Sequence, residues 1–311
     1  MEEEALLNII FQGLMMNRIL VFHSWGMGDM IMATPMLKSL ALSGYKVDLV
    51  TTSEINKRIL KNNDFLENTI VIDKMWKIMR FFGKYDYLVA TAGINLKKIR
   101  LLSKLLGVKK VFCEEQEKDI HRIDMNLKIV KPLLKNITKE PYIYINNNQE
   151  VLEKYLINQK NIGFAIGSGS RQKFKRWPYF KELIQKIDGN KLIFIGPDEK
   201  ELEEEFKDLG IIVKENIENT INLISNLDLL IGNDNGLMHI GYATKINTVT
   251  IFGMTNEKET GGYRKNNESV FLNLECRPCF DPATDYVGCS DFKCLKELSV
   301  EEVYKRCKKF L

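Results

Sequence analysis

Residues 18–29, RILVFHSWGMGD, decide the fold, because a short apolar β-type run leads through a glycine-containing turn into a helix-length segment. A strand that ends in such a turn and continues into a helix is the first unit of a Rossmann-like α/β domain. The fingerprint for dinucleotide binding is incomplete, since Ile31 stands where its third glycine is expected. Pro35 lies inside the predicted helix 29–43 and is expected to kink it or to delay its start.

Outward from this stretch, short β-branched runs alternate with amphipathic helix-length runs, which predicts parallel sheets covered by helices on both faces. One series of predicted strands comprises residues 18–24, 46–52, 68–72, 85–91 and 109–113, and a second comprises 162–166, 191–195, 211–213, 227–231 and 248–252. A proline at 141 and an asparagine run at 146–148 indicate a linker between the two series.

We therefore predict two Rossmann-like domains with a ligand cleft between them, at the carboxyl ends of the strands. The predicted boundaries are a leader or tag at 1–15, an N-terminal acceptor-side domain at 16–155, a nucleotide-sugar-binding domain at 156–298 and a C-terminal helix at 299–311.

Size and charge limit the functional classes. The 311 residues suffice for two domains of about 150 residues each. The net charge of +4, from 45 basic and 41 acidic residues, is too small to indicate nucleic-acid binding. It is compatible with an anionic substrate or an anionic membrane surface. No apolar run approaches the roughly 18 residues that span a bilayer, and the chain begins with acidic residues, so a cytoplasmic protein is expected.

The first turn contains the candidate base. Gly26 and Gly28 would let the backbone turn sharply and approach a ligand, and Asp29 would stand at the start of the helix. There the carboxylate either caps free helix N–H groups or accepts a proton from an attacking hydroxyl. The local pattern alone leaves both interpretations open.

The second series places three polar loops at strand ends. The loop DNGLMH (234–239) opens a helix whose N–H groups suit a diphosphate. The loop at 167–171 and the cations at 173–176 are either a solvated basic turn or a means to neutralise a leaving diphosphate. Glu199, just past the strand 191–195, either accepts hydrogen bonds from ribose hydroxyls or lies at a helix start without a ligand.

In this order the motifs resemble glycosyltransferase family 9, the ADP-heptose:lipopolysaccharide heptosyltransferases, over roughly residues 17–305. The residues concerned are GMGD (26–29), KRWP (175–178), GPDE (196–199), DNGLMH (234–239), FGMT (252–255) and GGY (261–263). The resemblance implies a GT-B fold and an inverting, metal-independent transfer that requires no cofactor. The expected donor is ADP-heptose, and the expected acceptor is a lipopolysaccharide-core or related glycan at the inner face of the cytoplasmic membrane.

The resemblance also assigns roles. Asp29 would be the catalytic base, Lys175 would contact the donor phosphates and Glu199 would hold the ribose. The full predicted donor set is Lys175, Glu199, Asp234, Asn235, Gly236, Leu237, His239, Thr255 and Ser168. Apart from the resemblance, we predict acceptor contacts at Gly28, His121 and Arg122, since the basic pair at 121–122 could meet acidic acceptor sugars. Three positions depart from the family pattern, since Asn235, Met254 and Asn256 replace a Thr or Ser, a Pro and an Asp, respectively.

Two segments lie outside these motifs. Cys276, Cys279, Cys289 and Cys294 are either structural thiols, reduced or disulfide-bonded, or the four ligands of a structural zinc ion. Residues 76–82, with aromatic side chains beside lysines and an arginine, are either an ordinary packed helix or a peripheral contact with the inner membrane.

Other functional classes on the same fold remain open at this stage. They are a nucleotide-sugar epimerase or hydrolase, which needs no acceptor, and a non-catalytic protein that only binds a nucleotide sugar.

Overall fold

The computed structural model describes residues 17–197, 199–281 and 286–311. The leader or tag predicted at 1–15 lies outside the described residues. The chain divides into two compact units, of which the first ends at Tyr142 and the second begins at Ile143.

The first unit is a five-stranded parallel sheet with helices between its strands, in the order β3-β2-β1-β4-β5. Its elements are β1 Arg18–His23, α1 Met27–Leu42, β2 Lys46–Thr51, α2 Glu54–Ile59, β3 Asn68–Val71, a 3-10 helix Met75–Phe81, β4 Tyr87–Ala90, α3 Leu96–Leu106, β5 Lys110–Phe112, α4 Arg122–Val130 and a 3-10 helix Lys131–Leu133. The strand order reverses direction between β1 and β4, and crevices for ligands form at such switch points.

Helix α1 begins at Met27 and continues through Pro35 without interruption, so the expected restart of the helix at Pro35 was wrong. Proline has no N–H and therefore leaves the carbonyl oxygen of Ile31 without its helical partner. Thr34 Oγ1 donates to that oxygen at 2.6 Å. The same hydroxyl accepts the N–H of Tyr142 at 2.8 Å, which ties α1 to the end of the unit.

The second unit is a six-stranded parallel sheet in the order β8-β7-β6-β9-β10-β11, with a small antiparallel pair β12-β13. Its elements are α5 Gln149–Tyr155, β6 Asn161–Ala165, a 3-10 helix Ser170–Lys175, α6 Phe180–Lys186, β7 Asn190–Phe194, α7 Lys200–Phe206, β8 Ile211–Val213, α8 Ile217–Ile224, β9 Leu229–Asn233, α9 Gly236–Thr244, β10 Asn247–Ile251, α10 Glu257–Thr260, β11 Asn267–Val270, β12 Phe280–Asp281, β13 Tyr286–Val287, α11 Lys293–Lys296 and α12 Val300–Cys307. The switch point lies between β6 and β9.

The division at Tyr142 comes earlier than the predicted one at 155/156, because α5 packs on the second unit. The carbonyl of Asn148, which caps α5, accepts from Asn222 at 2.9 Å, and the Tyr155 hydroxyl donates to Glu215 at 3.0 Å. The C-terminal helix α12 also belongs to this unit, since its Val303 is fully buried in the core around β10 and β11. In the described part of the chain, no helix is both long and apolar enough to cross a bilayer.

Candidate functional site

Asp29 lies in the first turn of α1, directly beyond the carboxyl end of β1 at the switch point. Gly26 is the N-cap residue, so the interpretation of Asp29 as the N-cap was wrong. The Asp29 carboxylate is one-third exposed, and its charge partner is Arg122, with 3.7 Å between Nε and Oδ1. The N-terminus of a helix favours negative charge, and the Asp29 carboxylate lies there beside a basic side chain.

The expected glycine turn has an ordinary backbone. Gly26 has φ −69° and no heavy atom within 4 Å of an added Cβ, so a side chain fits there. Gly28 lies within α1. The glycine that the geometry requires is Gly93, after β4, with φ +84° and Arg122 Nη1 only 2.8 Å from an added Cβ.

Arg122 is largely buried at the start of α4, where it faces both Asp29 and the end of β4. Its Nη1 donates to the carbonyl of Ala92 at 3.3 Å, whereas its Nε has no hydrogen-bond partner within the described residues. The neighbouring His121 caps α4, because its Nδ1 accepts the N–H of Ile123 at 3.2 Å. The guanidinium group of Arg122 therefore lies at the switch point, and His121 caps the helix to which Arg122 belongs.

Two aromatic side chains that the sequence analysis missed complete this group. His23 is fully buried, and its Nδ1 lies 3.0 Å from the hydroxyl of Thr91. Burial lowers the pKa of His23 to about 4, so the ring is neutral at pH 7. His23 Nε2 and Trp25 Nε1 have no hydrogen-bond partner in the described part of the chain. His23 and Trp25 come directly before the glycine turn in the sequence, and that position could have identified them as candidates.

In the second unit, Glu199 is turned into the protein and is only 5% exposed. Its Oε1 accepts the N–H groups of Ser168 and Gly169 at 2.7 and 3.0 Å, and Nη2 of Arg176 at 2.9 Å. Its Oε2 accepts from Gly196 at 3.3 Å. An added Cβ on Gly167 would lie 2.0 Å from Oε2, so glycine is required there. Glu199 thus shapes the loop after β6 and leaves Oε2 as its less engaged oxygen.

Lys175 and Asp234 come together at the same switch point. Lys175 Nζ lies 3.5 Å from Oδ2 of Asp234, and the two side chains are 12% and 11% exposed. The ammonium group also lies over the ring of Phe280, 4.9 Å from its centre. The cation expected to meet phosphate is therefore held in place on one side by a carboxylate and on the other by an aromatic face.

Asparagine side chains join the ends of β6 and β9. Asn235 caps α9, since its Oδ1 accepts the N–H of Leu237 at 2.9 Å, while its Nδ2 donates to the carbonyl of Gly167 at 2.8 Å. Asn233, which the sequence analysis missed, is fully buried, accepts from Trp177 N at 2.9 Å and donates to Ile166 O at 2.7 Å. The predicted anion loop from Asn235 to Leu237 is thus a helix N-terminus with an internal cap, and Gly236 is its first helical residue.

His239, within α9, and Thr255, after β10, are both mostly buried. The ring of His239 packs edge-on against Tyr242 at 5.4 Å between centroids. The carbonyl of Thr255 accepts Nη2 of Arg277 at 3.0 Å, and the same guanidinium donates to the carbonyl of Gly253 and pairs with Glu257 at 3.2 Å. Arg277, which the sequence analysis did not single out, therefore holds the loop after β10.

The cysteine segment supports this loop. Cys279 N donates to the carbonyl of Met254 at 3.0 Å. All six cysteines are free thiols, and no group of three or more potential ligands in the described residues is placed to hold a metal ion. Burial raises the pKa of Cys294 to about 11, and the neighbouring thiols of Cys279 and Cys289 raise it as well.

Comparisons with known proteins agree with this architecture. A model of the family "Glycosyltransferase family 9 (heptosyltransferase)" matches residues 113–288, more than half of the chain. Lipooligosaccharide heptosyltransferase 2 of Campylobacter jejuni is 26% identical, over 91% of this chain and 96% of its own length.

Two solved structures show the same fold. A family 9 glycosyl transferase from Veillonella parvula has a TM-score of 0.78 at 20% identity, over 94% of this chain and 97% of its own. The ADP-heptose lps heptosyltransferase II of E. coli has a TM-score of 0.71 at 15% identity, over 95% and 98%. The two Rossmann-like units are therefore those of a GT-B fold, and the family match makes this chain a member of glycosyltransferase family 9 (heptosyltransferase), and thus a glycosyltransferase.

Proposed function

We propose that the protein transfers heptose from ADP-heptose, with inversion and without a metal ion, to a lipopolysaccharide- or lipooligosaccharide-core acceptor. The observation that supports this most is the position of Asp29. Its carboxylate does not cap the helix and lies at a switch point, next to a buried arginine. The names of the C. jejuni and E. coli relatives supply the sugar, the nucleotide and the acceptor class. They favour transfer over the epimerase, hydrolase and sensor alternatives.

In the proposed reaction, an acceptor hydroxyl oxygen attacks the anomeric carbon of the donor while the bond from that carbon to the phosphate oxygen breaks. Asp29 takes the proton of the hydroxyl, and ADP leaves with the bonding electron pair. Attack from the face opposite the leaving group inverts the anomeric configuration. A carboxylate within hydrogen-bond reach of the hydroxyl is sufficient for this role.

On the donor side, Lys175 meets the charge of the leaving diphosphate, because its ammonium group is mostly buried and already oriented. Positive charge from this lysine and N–H groups at the start of α9 take the place that a metal ion fills in other transferases. We assign the α9 loop (Asp234, Asn235, Gly236, Leu237), His239, Thr255 and Ser168 to the same donor site. Glu199 shapes its floor, and its Oε2 is the oxygen that remains for a ribose hydroxyl.

On the acceptor side, Arg122 is the strongest candidate, since its Nε is buried and has no hydrogen-bond partner in the described residues. A guanidinium in such a place recognises a carboxylate or a phosphate on the acceptor sugar. Gly28 and His121 contribute through backbone approach and through the start of α4. The acceptor is a glycolipid at the inner face of the cytoplasmic membrane.

The variant Asp29→Asn tests the proposal, with Asp64→Asn as a matched control at an exposed position of the same unit. We expect Asp29→Asn to bind ADP with unchanged affinity in calorimetry and to lose at least about a thousandfold in heptosyl transfer. The control should retain both. Retained turnover by Asp29→Asn contradicts the base assignment, and turnover of the donor without an acceptor contradicts transfer itself.

A further inference from the structure

One continuous segment of the first unit contains a strong excess of positive charge. Residues 74–113 include ten Lys and Arg and a single acidic residue, Asp86. Because the whole chain has a net charge of only +4, the remainder of the sequence is net negative. A positive region of this kind on an otherwise acidic protein indicates attraction to a specific anionic partner.

The same segment exposes large apolar side chains. Trp76, Phe82 and Leu101 are 68%, 63% and 61% exposed, values at which most of each side chain contacts solvent. Of the fifteen large apolar side chains that are exposed in the described residues, six belong to this segment. They are Met75, Trp76, Met79, Phe82, Leu101 and Leu105.

These side chains come from two adjacent elements, the 3-10 helix Met75–Phe81 and α3. Gly83 N donates to the carbonyl of Leu106 at 3.0 Å. The ring of Phe82 lies 3.3 Å from where a Cβ on Gly107 would be, so it packs against the end of α3. We refer to the exposed side chains of residues 74–84 and of α3 as the basic apolar surface.

Helix α3 has apolar side chains on its exposed face as well as on its buried face. Its Ile99, Leu102 and Leu106 are buried in the unit, as in any packed helix. Its opposite face contains the exposed Leu101 and Leu105 between lysines 97, 98 and 104. Leucines surrounded by lysines on an exposed face are the pattern of helices that lie in the interface of a lipid bilayer.

Most of the cations are available to a partner. Lys77 pairs with Asp73 at 2.6 Å and Lys109 with Asp86 at 2.5 Å. Lys74, Lys84, Lys97, Lys98 and Lys104 have no carboxylate within ion-pair distance in the residues that the structure describes. A protein partner of the usual kind would offer a surface of mixed polarity, whereas anionic lipid offers negative charge above an apolar phase, which matches this surface in both respects.

We infer that the basic apolar surface docks on an anionic lipid bilayer, with its lysines on the headgroups and Trp76, Phe82 and Leu101 in the interfacial layer. Tryptophan favours that layer because its ring has an apolar body and a polar N–H. This inference specifies the partner of the proposed function, but it depends on no donor or acceptor chemistry. The docked enzyme would be held where its lipid-anchored acceptor lies.

Vesicle sedimentation without donor or acceptor tests the inference. Wild-type protein should sediment with vesicles of phosphatidylglycerol and phosphatidylethanolamine, and not with phosphatidylcholine vesicles. Lys97→Glu/Lys98→Glu should weaken binding by about thirtyfold or more. Lys305→Glu/Lys308→Glu makes the same charge change on exposed residues of the second unit and should leave binding within about twofold.

The apolar part is tested by Trp76→Ala/Leu101→Ser, with Ile157→Ser as the control at an exposed residue of the second unit. The double variant should lose the binding that remains at high salt, where the electrostatic attraction is screened. Transfer to a deacylated, water-soluble acceptor should be unchanged in every variant. This separates a failure of docking from a failure of the proposed chemistry.

Three results would overturn the inference. One is equal sedimentation of the wild type and Lys97→Glu/Lys98→Glu with anionic vesicles. Another is tighter binding to single-stranded nucleic acid than to vesicles, which would assign the surface to that partner. The last is a dimer in sedimentation velocity that Trp76→Ala/Leu101→Ser dissociates, which would assign it to a second copy of the chain.

Discussion

Arg122 Nε lies 3.7 Å from Oδ1 of Asp29 and has no hydrogen-bond partner within the described residues, although the arginine is only 7% exposed. The two residues are far apart in the sequence, one after β1 and the other at the start of α4. A buried guanidinium nitrogen without a partner is costly, because it has lost water and gained no acceptor. The arrangement is favourable when an anionic ligand supplies the missing acceptor.

We therefore expect Arg122→Gln to raise KM for the acceptor by about tenfold to a hundredfold, the value of a hydrogen bond to a charged group. Affinity for ADP should stay within twofold, which steady-state kinetics and calorimetry would measure. Arg122→Lys keeps the charge but not the fork of donors, so it should recover only part of the loss. Equal loss of acceptor and ADP binding would indicate a general structural role instead.

Stability should depend on pH through His23. Burial lowers the pKa of His23 to about 4 in the folded protein, below the value near 6.5 of an exposed histidine. The unfolded chain then binds the extra proton first, so this contribution is complete above about pH 6.5 and is lost as the pH falls towards 4. It amounts to at most about 3 kcal/mol.

Urea unfolding at several pH values should reveal this effect as a difference between variants. His23→Gln removes the titration, so its stability should fall less than that of the wild type between pH 6.5 and 4. Ile157→Ser serves as the control, because it changes an exposed side chain and removes no titratable group, so its curve should run parallel to that of the wild type. Parallel curves for the wild type and His23→Gln would show that His23 does not titrate in this range.

The pair of Lys175 and Asp234 should behave as a coupled unit. Lys175→Met should weaken ADP binding by about tenfold to a hundredfold and should destabilise the protein, since it leaves Asp234 mostly buried without its cation. Adding Asp234→Asn should restore much of the stability without restoring ADP affinity. Calorimetry and thermal unfolding separate the two effects.

A suitable control is Lys173→Met, which removes a neighbouring lysine that is 55% exposed and pairs with Glu201 at 2.8 Å. Its effect on ADP affinity should be less than about threefold. If Lys173→Met and Lys175→Met weaken ADP binding equally, the loop acts through its total charge and not through the position of Lys175.

Gly167 should be intolerant of substitution, whereas Gly26 should accept alanine. A Cβ at Gly167 would lie 2.0 Å from Oε2 of Glu199 and would displace the carboxylate from the N–H groups of Ser168 and Gly169. We expect Gly167→Ala to destabilise the protein by about 3 kcal/mol and to abolish ADP binding. The free energy of unfolding of Gly26→Ala, measured with urea, should lie within about 0.5 kcal/mol of that of the wild type. A stable, ADP-binding Gly167→Ala variant would contradict the position assigned to Glu199.

Much of the fold followed from local patterns. The alternation of β-branched and amphipathic runs predicted two Rossmann-like sheets, which the structure confirms with some strand ends shifted by one or two residues. In a parallel sheet of this kind, ligands bind at loops that follow the carboxyl ends of the strands. Polar motifs at the predicted strand ends therefore indicated the two switch points. The late helix start expected at Pro35 was the exception, because the rule for proline in helices omits a neighbour such as Thr34 that bonds the released carbonyl.

The sequence by itself determined the family, the fold and the candidate residues, because residue types, their order and their spacing are properties of the chain. Only the tertiary structure decided what each candidate contacts. In the structure Glu199 accepts the N–H of Ser168, and Lys175 pairs with Asp234. Asp29 is not the N-cap of its helix, and Arg122 lies beside it. These contacts join residues that lie dozens of positions apart, and burial with partners of that kind sets hydrogen bonding and charge in ways that no local pattern specifies.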